Sequence, residues 1–256
     1  MKKIVVVLLL SLSFSIFAQG VPEEVSLAAA SKPINVIAST SWTAAFADLG
    51  GLDDLTIIAP ASLVHPPEYE ITVNDVLNID QADYFIYAGY ERMMQSMGDS
   101  IKKDSQTMIK INTNNSMENV SQQAKAIANL LGTEDQSAKR LASYIATIEK
   151  GKEEVKSRGM DTLQVYCHSM QIYLAQDLGL QIDATFGPGP LTANQIATAS
   201  KNHYDIIIDN IHNPIAAPLL EVSPNSKLVV WRNFPSSVER GSLEKMVQAN
   251  IDALLE

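Results

Sequence analysis

Cysteine is nearly absent from this chain: Cys167 is the only one in 256 residues. No intramolecular disulfide can form, even in an oxidising compartment. Histidine is almost as scarce, with four copies, and aromatic residues make up 6%. Positive charge is in deficit, with 19 Lys and Arg against 29 Asp and Glu and a formal net charge of −10. Such a surface repels nucleic acid and anionic lipid, and no basic cluster offsets it. There is no phosphate-cradling glycine loop, no GxSxG and no HExxH, so common hydrolase and nucleotide-enzyme chemistry has little support. No repeat of solenoid or propeller period is present.

What the chain does have begins at its N-terminus. Lys2 and Lys3 precede an apolar run, Ile4–Leu10, continued by Ser11–Phe17, with Ala18 and Gly20 near a plausible cut. This is the layout of a secretory signal peptide over residues 1–20. The apolar core is too short and serine-rich for a comfortable membrane span of about 20 residues. No cysteine follows it to carry a lipid, so the expected mature protein is soluble, and periplasmic in a cell with two membranes.

Beyond an alanine-rich lead, strand-like runs alternate with helix-like ones. Strands are predicted over 33–38, 55–59, 84–88 and 108–111, with helices over 42–48, 74–80 and 117–131. Thr133 with Gln136 three residues on reads as a capping box opening one long helix. Leu141, Tyr144, Ile145, Ile148 and Val155 recur along it at helical spacing, and Gly159 closes it. Alternation then resumes, with strands over 163–167, 180–184, 205–209 and 227–231 and helices over 170–177, 192–200, 215–221 and 242–255. The expected class is α/β: two lobes, each a mainly parallel sheet flanked by helices, bridged by one long helix. The expected divisions are 21–132, a linking helix over 133–158, and 159–256. A single bridging helix predicts closure by a small tilt and not a wide hinge swing.

Three of the four histidines follow strand-like runs: His65 after Leu55–Ala59 and its proline, His168 after Leu163–Cys167, and His212 just beyond Asp205–Asp209. Ligands of open α/β sheets collect at the carboxyl ends of strands. Neutral imidazole is also the commonest side chain for holding a transition metal. Pro66 and Pro67 stiffen the backbone after His65, and Glu68 and Glu70 add oxygen donors nearby. Asp209 with His212 gives a mixed nitrogen and oxygen set suited to zinc, manganese or ferrous iron, although an Asp there also caps helices. His203 precedes its strand and is expected at the surface. Cys167 is expected to be a buried small apolar residue, and Phe186–Pro190 a rigid structural turn.

At these positions the chain resembles the periplasmic solute-binding proteins of metal-ion ABC importers, the zinc and manganese group with one long helix between two lobes. The likeness is carried by the run from Leu55 through Ala88, where Glu68-Tyr69-Glu70 closes the histidine loop and Asn74-Asp75 opens a helix. Tyr166-Cys167-His168 with Tyr173 and Leu180 carries it in the second half. The resemblance implies that His65 and His168 are ligands facing one another across a cleft. It implies a divalent transition metal (Zn, Mn or Fe) as transported ligand, no organic cofactor, and an ABC importer permease with its ATPase as partner. A monomer without catalytic activity is expected.

The departures are specific. Pro67 stands where the family places its histidine, two residues before the tyrosine. The third family ligand falls near Asp183 or Ala184, and only Asp183 could serve. The fourth falls near Arg232 or Asn233, where no acid stands, and the family's histidine-rich loop is absent. The expected metal residues are therefore His65 and His168, then Asp209 and His212, then Asp183. A rival reading takes a chelated metal such as siderophore-iron, haem or cobalamin, gripped by Trp42, Tyr90, Trp231 and Arg232. A metal hydrolase would need Glu68 or Glu70 as its base.

Overall fold

The computed structural model describes residues 34–97 and 101–256; the expected signal segment and the lead after it lie outside the described residues. The first four strands are β1 (Val36–Ala38), β2 (Leu55–Ile57), β3 (Tyr84–Tyr87) and β4 (Met108–Lys110). They form a wholly parallel sheet in the order β2-β1-β3-β4. Helices α1 (Ser41–Leu49), α2 (Val73–Gln81), α3 (Arg92–Met97) and α4 (Met117–Leu131) belong to this half. Thr40 and Thr72 cap α1 and α2 in reciprocal capping boxes, which satisfy amide donors that a helix start leaves free. Of these elements, only the short α3 is absent from the sequence expectation.

The second half repeats the design. Strands β5 (Val165–His168), β6 (Ile182–Phe186), β7 (Ile206–Asn210) and β8 (Lys227–Trp231) give the parallel order β6-β5-β7-β8, topologically the same as the first sheet. Its strands β5 and β7 are buried along their whole length, as both-face coverage of a parallel sheet requires. Helices α6 (Ile172–Asp177), α7 (Ala193–Asn202), α8 (Ala217–Val222) and α9 (Ser242–Leu255) cover it.

Between the sheets runs α5, Glu134–Ser157, 24 residues and so about 36 Å long at 1.5 Å per residue. Its buried stripe, Leu141, Tyr144, Ile148 and Val155, joins the largest apolar cluster, which takes residues from both sheets. Gly151 sits where α9 and α6 press closest: a Cβ there would come within 2.6 Å of Ile251 Cδ1 and 2.9 Å of Leu178 Cδ2. Glycine lets these side chains seat without shifting, which offsets its poor helix propensity. The capping box expected at Thr133 does not form. The Thr133 hydroxyl instead donates to the Gly50 carbonyl, pinning the start of α5 to the end of α1.

Further hydrogen bonds join the two halves away from α5. Ser41 Oγ donates to Pro235 O at 2.7 Å, the Asn115 amide to Asn233 O, and Gly241 N to Asp48 Oδ2 at 2.9 Å. Arg140 on α5 is almost fully buried and donates to Asp48 Oδ1 at 3.0 Å and to Leu52 O at 2.6 Å. An ion pair this enclosed ties α5 to α1, and removing one partner would strand a buried charge.

Candidate functional site

A cavity of about 880 Å³ opens at the carboxyl ends of the strands, where α/β sheets place ligands. The segment following each of the eight strands contributes to its wall. In strand order β1 to β8 these are Trp42, His65, Tyr90, Asn112–Asn115, Ser169, Pro188, His212 and Asn233 with Phe234, and His168 at the end of β5 joins them. The wall is therefore drawn from both sheets. Most of it is aromatic, amide or imidazole; Glu68 is its only acid.

His65, exposed on its proline loop, precedes a 3₁₀ turn, Pro66–Glu68, and its side chain caps nothing. His168 ends β5 and is fully buried. The Met170 backbone N–H donates to its Nδ1 at 3.1 Å. An Nδ1 that accepts leaves the proton of the neutral ring on Nε2. That Nε2 has no partner and lies against Gly187, where an added Cβ would stand 2.6 Å away. Burial holds the His168 pKa below the ordinary histidine value, opposed by the Asp209 charge.

His212 is arranged the other way. Its Nδ1 lies 3.3 Å from the Val64 carbonyl, an acceptor only, so the ring proton sits on Nδ1 and Nε2 keeps its lone pair. This is the arrangement that presents Nε2 to a metal. The bond also crosses from the second half to the loop that carries His65. The ring stacks on Phe234 with centroids 3.7 Å apart, and Phe234 meets Trp42 at 5.7 Å. Burial, reinforced by the Arg232 charge, pulls the His212 pKa down to about 4. The imidazole is therefore neutral at pH 7, and its buried Nε2 has no protein partner.

The acids expected beside these histidines are elsewhere. Asp209 is buried but does not reach the cavity wall. Its Oδ2 accepts from Ile215 N at 3.0 Å and Ala216 N at 2.9 Å, and its Oδ1 from Asn210 N at 2.8 Å. Oδ2 is spent on the turn ahead of α8 and Oδ1 on the next residue of β7, so both oxygens serve the backbone, although neither caps the helix itself. Asp183 lies near the amino end of β6, exposed, and its Oδ2 accepts from Val165 N at 2.9 Å. Strand polarity places it at the edge away from the cavity. Glu70 pairs at the surface with Arg92, 3.4 Å away. Trp231 is fully buried in the core, while Trp42 and Tyr90 line the cavity. Cys167 is buried, and burial drives its thiol pKa upward; His203 is exposed at the end of α7.

Among the described residues no three His, Cys, Asp or Glu side chains stand close enough together to hold a metal ion. The three histidines share a cavity without converging on a point. The amides were the part that sequence reasoning missed. Asn112, Asn114 and Asn115 directly follow β4, and an Asn-Thr-Asn-Asn run after a predicted strand was the available signal.

No protein-family model matches the chain, and no curated protein sequence matches it. Solved structures do. The SBP FpvC of Pseudomonas aeruginosa, in complex with Ni2+, superposes with a TM-score of 0.65 at 17% identity, covering 87% of this chain and 96% of that one. The Mn-bound periplasmic metal binding protein of Candidatus Liberibacter asiaticus gives 0.62 at 13%, covering 88% and 98%. The laminin-binding adhesin Lmb of Streptococcus agalactiae gives 0.61 at 16%, covering 87% and 98%. This chain shares their fold. The two parallel sheets joined through a long helix are thus a known architecture, as the sequence resemblance implied.

Proposed function

We propose that this chain is an extracytoplasmic solute-binding protein that captures a divalent transition metal between its sheets and hands it to an ABC importer. One observation carries the reading: His212 and His65 line one cavity, and the His212 ring, held through Nδ1 to the Val64 carbonyl, keeps a buried Nε2 with no protein partner. A neutral imidazole fixed through Nδ1–H to a carbonyl is a prepared ligand for zinc, nickel or manganese. His65, exposed on its loop, is the second donor, and Glu68 is the acid nearest to them in the wall. His168 lines the same cavity, with its Nε2 proton as a donor toward the ligand. The structurally similar proteins bound to Ni2+ and to Mn support the choice of metal class.

The role is non-catalytic. Metal hydrolysis needs a base held beside an open coordination position, and Glu68 is exposed. Titrating the metal-free protein with Ni2+, Mn2+ and Zn2+, each alone and with equimolar citrate, tests the reading. Saturable binding of one metal per chain, weakened at least about 100-fold in His212→Ala, is expected; ligand loss should exceed the 10–100-fold cost of losing an outer-shell partner. Failure of every metal, in every form, to bind would overturn it.

A further inference from the structure

A bare ion leaves most of the cavity unused. A metal with six waters needs about 180 Å³ at roughly 30 Å³ per water, a small part of the 880 Å³ present. That volume falls in the roughly 300–1,000 Å³ range of small-molecule pockets. The wall carries no Lys or Arg and a single acid, Glu68. A charged organic molecule would shed its water there with little to replace it. The organic ligand that such a wall matches is uncharged.

What the wall offers is flat apolar surface and amide donors. Trp42, Tyr90, Tyr173 and Phe234 all line it, and Tyr90 is the most exposed of the four. Two of these rings are fixed by hydrogen bonds. Trp42 Nε1 donates to Asn115 Oδ1 at 2.8 Å, and the Tyr90 and Thr113 hydroxyls bond at 3.1 Å. The Asn115 amide also donates to the Asn233 carbonyl, so both its ends are occupied. Three other amides of the wall keep one end free. Asn112 Oδ1 accepts from Asn114 N at 3.0 Å, Asn114 Oδ1 from Ser116 N at 2.7 Å, and Asn210 Oδ1 from His212 N at 3.2 Å. A backbone N–H can be met only by the carbonyl end of an amide, so each keeps its Nδ2 as a donor. Those nitrogens make no hydrogen bond among the described residues. Asn210 is only 2% exposed, yet its Nδ2 is not fully enclosed, and the residue lines the cavity. A buried donor without a protein partner is stabilised when water or a ligand meets it.

We infer that this wall takes an uncharged, flat-ringed organic molecule whose polar atoms are hydrogen-bond acceptors, of the kind and size of a pyrimidine nucleoside. Its ring packs on Tyr90, which the Thr113 bond holds beside Asn112 and Asn114. Its carbonyl oxygens accept from the Nδ2 groups of Asn112, Asn114 and Asn210. Stacking on an aromatic face and hydrogen bonds to the base edge are the general means by which proteins hold an unpaired base. This binding goes beyond metal capture and does not require the metal.

Calorimetry on the metal-free protein with uridine, uridine monophosphate and methyl glucoside tests the inference. Uridine is expected to bind one per chain. The monophosphate should bind at least about tenfold more weakly, because no cation in the wall meets its phosphate. Methyl glucoside, without a flat ring, should be weaker than uridine. Tyr90→Ala should weaken uridine about tenfold, the scale of one lost ring stack, whereas Tyr90→Phe should keep it. Asn114→Asp retains the oxygen that accepts from Ser116 N but exchanges the donor for an anion. It should weaken uridine at least about fivefold, the scale of one hydrogen bond. Asn112→Asp, at an exposed position, should do the same, so a folding defect in one variant does not decide the matter. Absence of uridine binding, a monophosphate that binds as tightly, or a glucoside that binds more tightly would overturn this inference. The capture reading stands or falls separately, on the metal titration.

Discussion

His168 ends β5 and His212 lies two residues beyond the neighbouring β7, yet they are prepared for opposite tasks. Both are buried, both have an Nε2 without a protein partner, and burial lowers the pKa of both. The difference lies at Nδ1. A backbone N–H from Met170 points at one ring, and the backbone carbonyl of Val64 faces the other. One imidazole is left with a proton to give and the other with a lone pair. Residue type is the same and both sit at the carboxyl ends of their strands; a single neighbouring main-chain group decides the chemistry.

The strongest way to break this contrast is to remove each ring. His212→Ala should weaken metal binding at least about 100-fold, whereas His168→Ala should cost about tenfold, one charged hydrogen bond's worth. Equal losses in a metal titration would erase the distinction. Gly187→Ala comes next. Its φ is +71° and its new Cβ would sit 2.6 Å from His168 Nε2. Left-handed strain and overpacking together should cost about 2–4 kcal/mol, read as a lower unfolding midpoint, while His212 keeps its affinity for bare Ni2+.

Acid should act through the same two rings. The unfolded imidazole titrates near 6.5, and His212 in the fold only at about 4. Between those values the unfolded state binds a proton that the folded state refuses, so stability falls as pH drops through the window. The slope for one such group is at most about 1.4 kcal/mol per pH unit. His168, also lowered, contributes with the same sign. In thermal melts from pH 7 to pH 4, His212→Gln should flatten part of the decline. The smallest expected change in binding belongs to Asp209→Asn. It should cost about 1–2 kcal/mol of stability, the scale of weakened buried hydrogen bonds, with metal affinity within about twofold. Asp209 braces the turn that His212 sits on, and a large loss of metal affinity there would make it more than a brace.

Much of the fold is legible in the chain because its signals are local. Met117–Leu131, Lys227–Trp231 and Ser242–Leu255 fall where periodicity places them, and the parallel sheets follow from alternation. Thr133 shows the limit: the spacing of a capping box was present, but a long-range acceptor, the Gly50 carbonyl, competed successfully for its hydroxyl. The site is legible to the level of which strand ends matter. His65, His168 and His212 were picked out as residues that follow strands, and all three reach the cavity. Asp209 and Asp183 were misplaced for two different reasons. One aspartate follows a strand but its oxygens face the backbone; the other sits at the wrong end of a strand. Which way an amide or a ring turns depends on contacts that no spacing encodes, so the tautomers of the two rings were invisible until the chain was folded.

Long-range nitrogen-15 correlation spectra of the histidine rings test the central contrast most directly. At pH 7 they should show His212 protonated on Nδ1 and His168 on Nε2, with added Ni2+ perturbing His212 Nε2 and leaving the His168 proton in place. Finding His168 protonated on Nδ1, or losing its Nε2 proton when the metal arrives, would contradict the assignment.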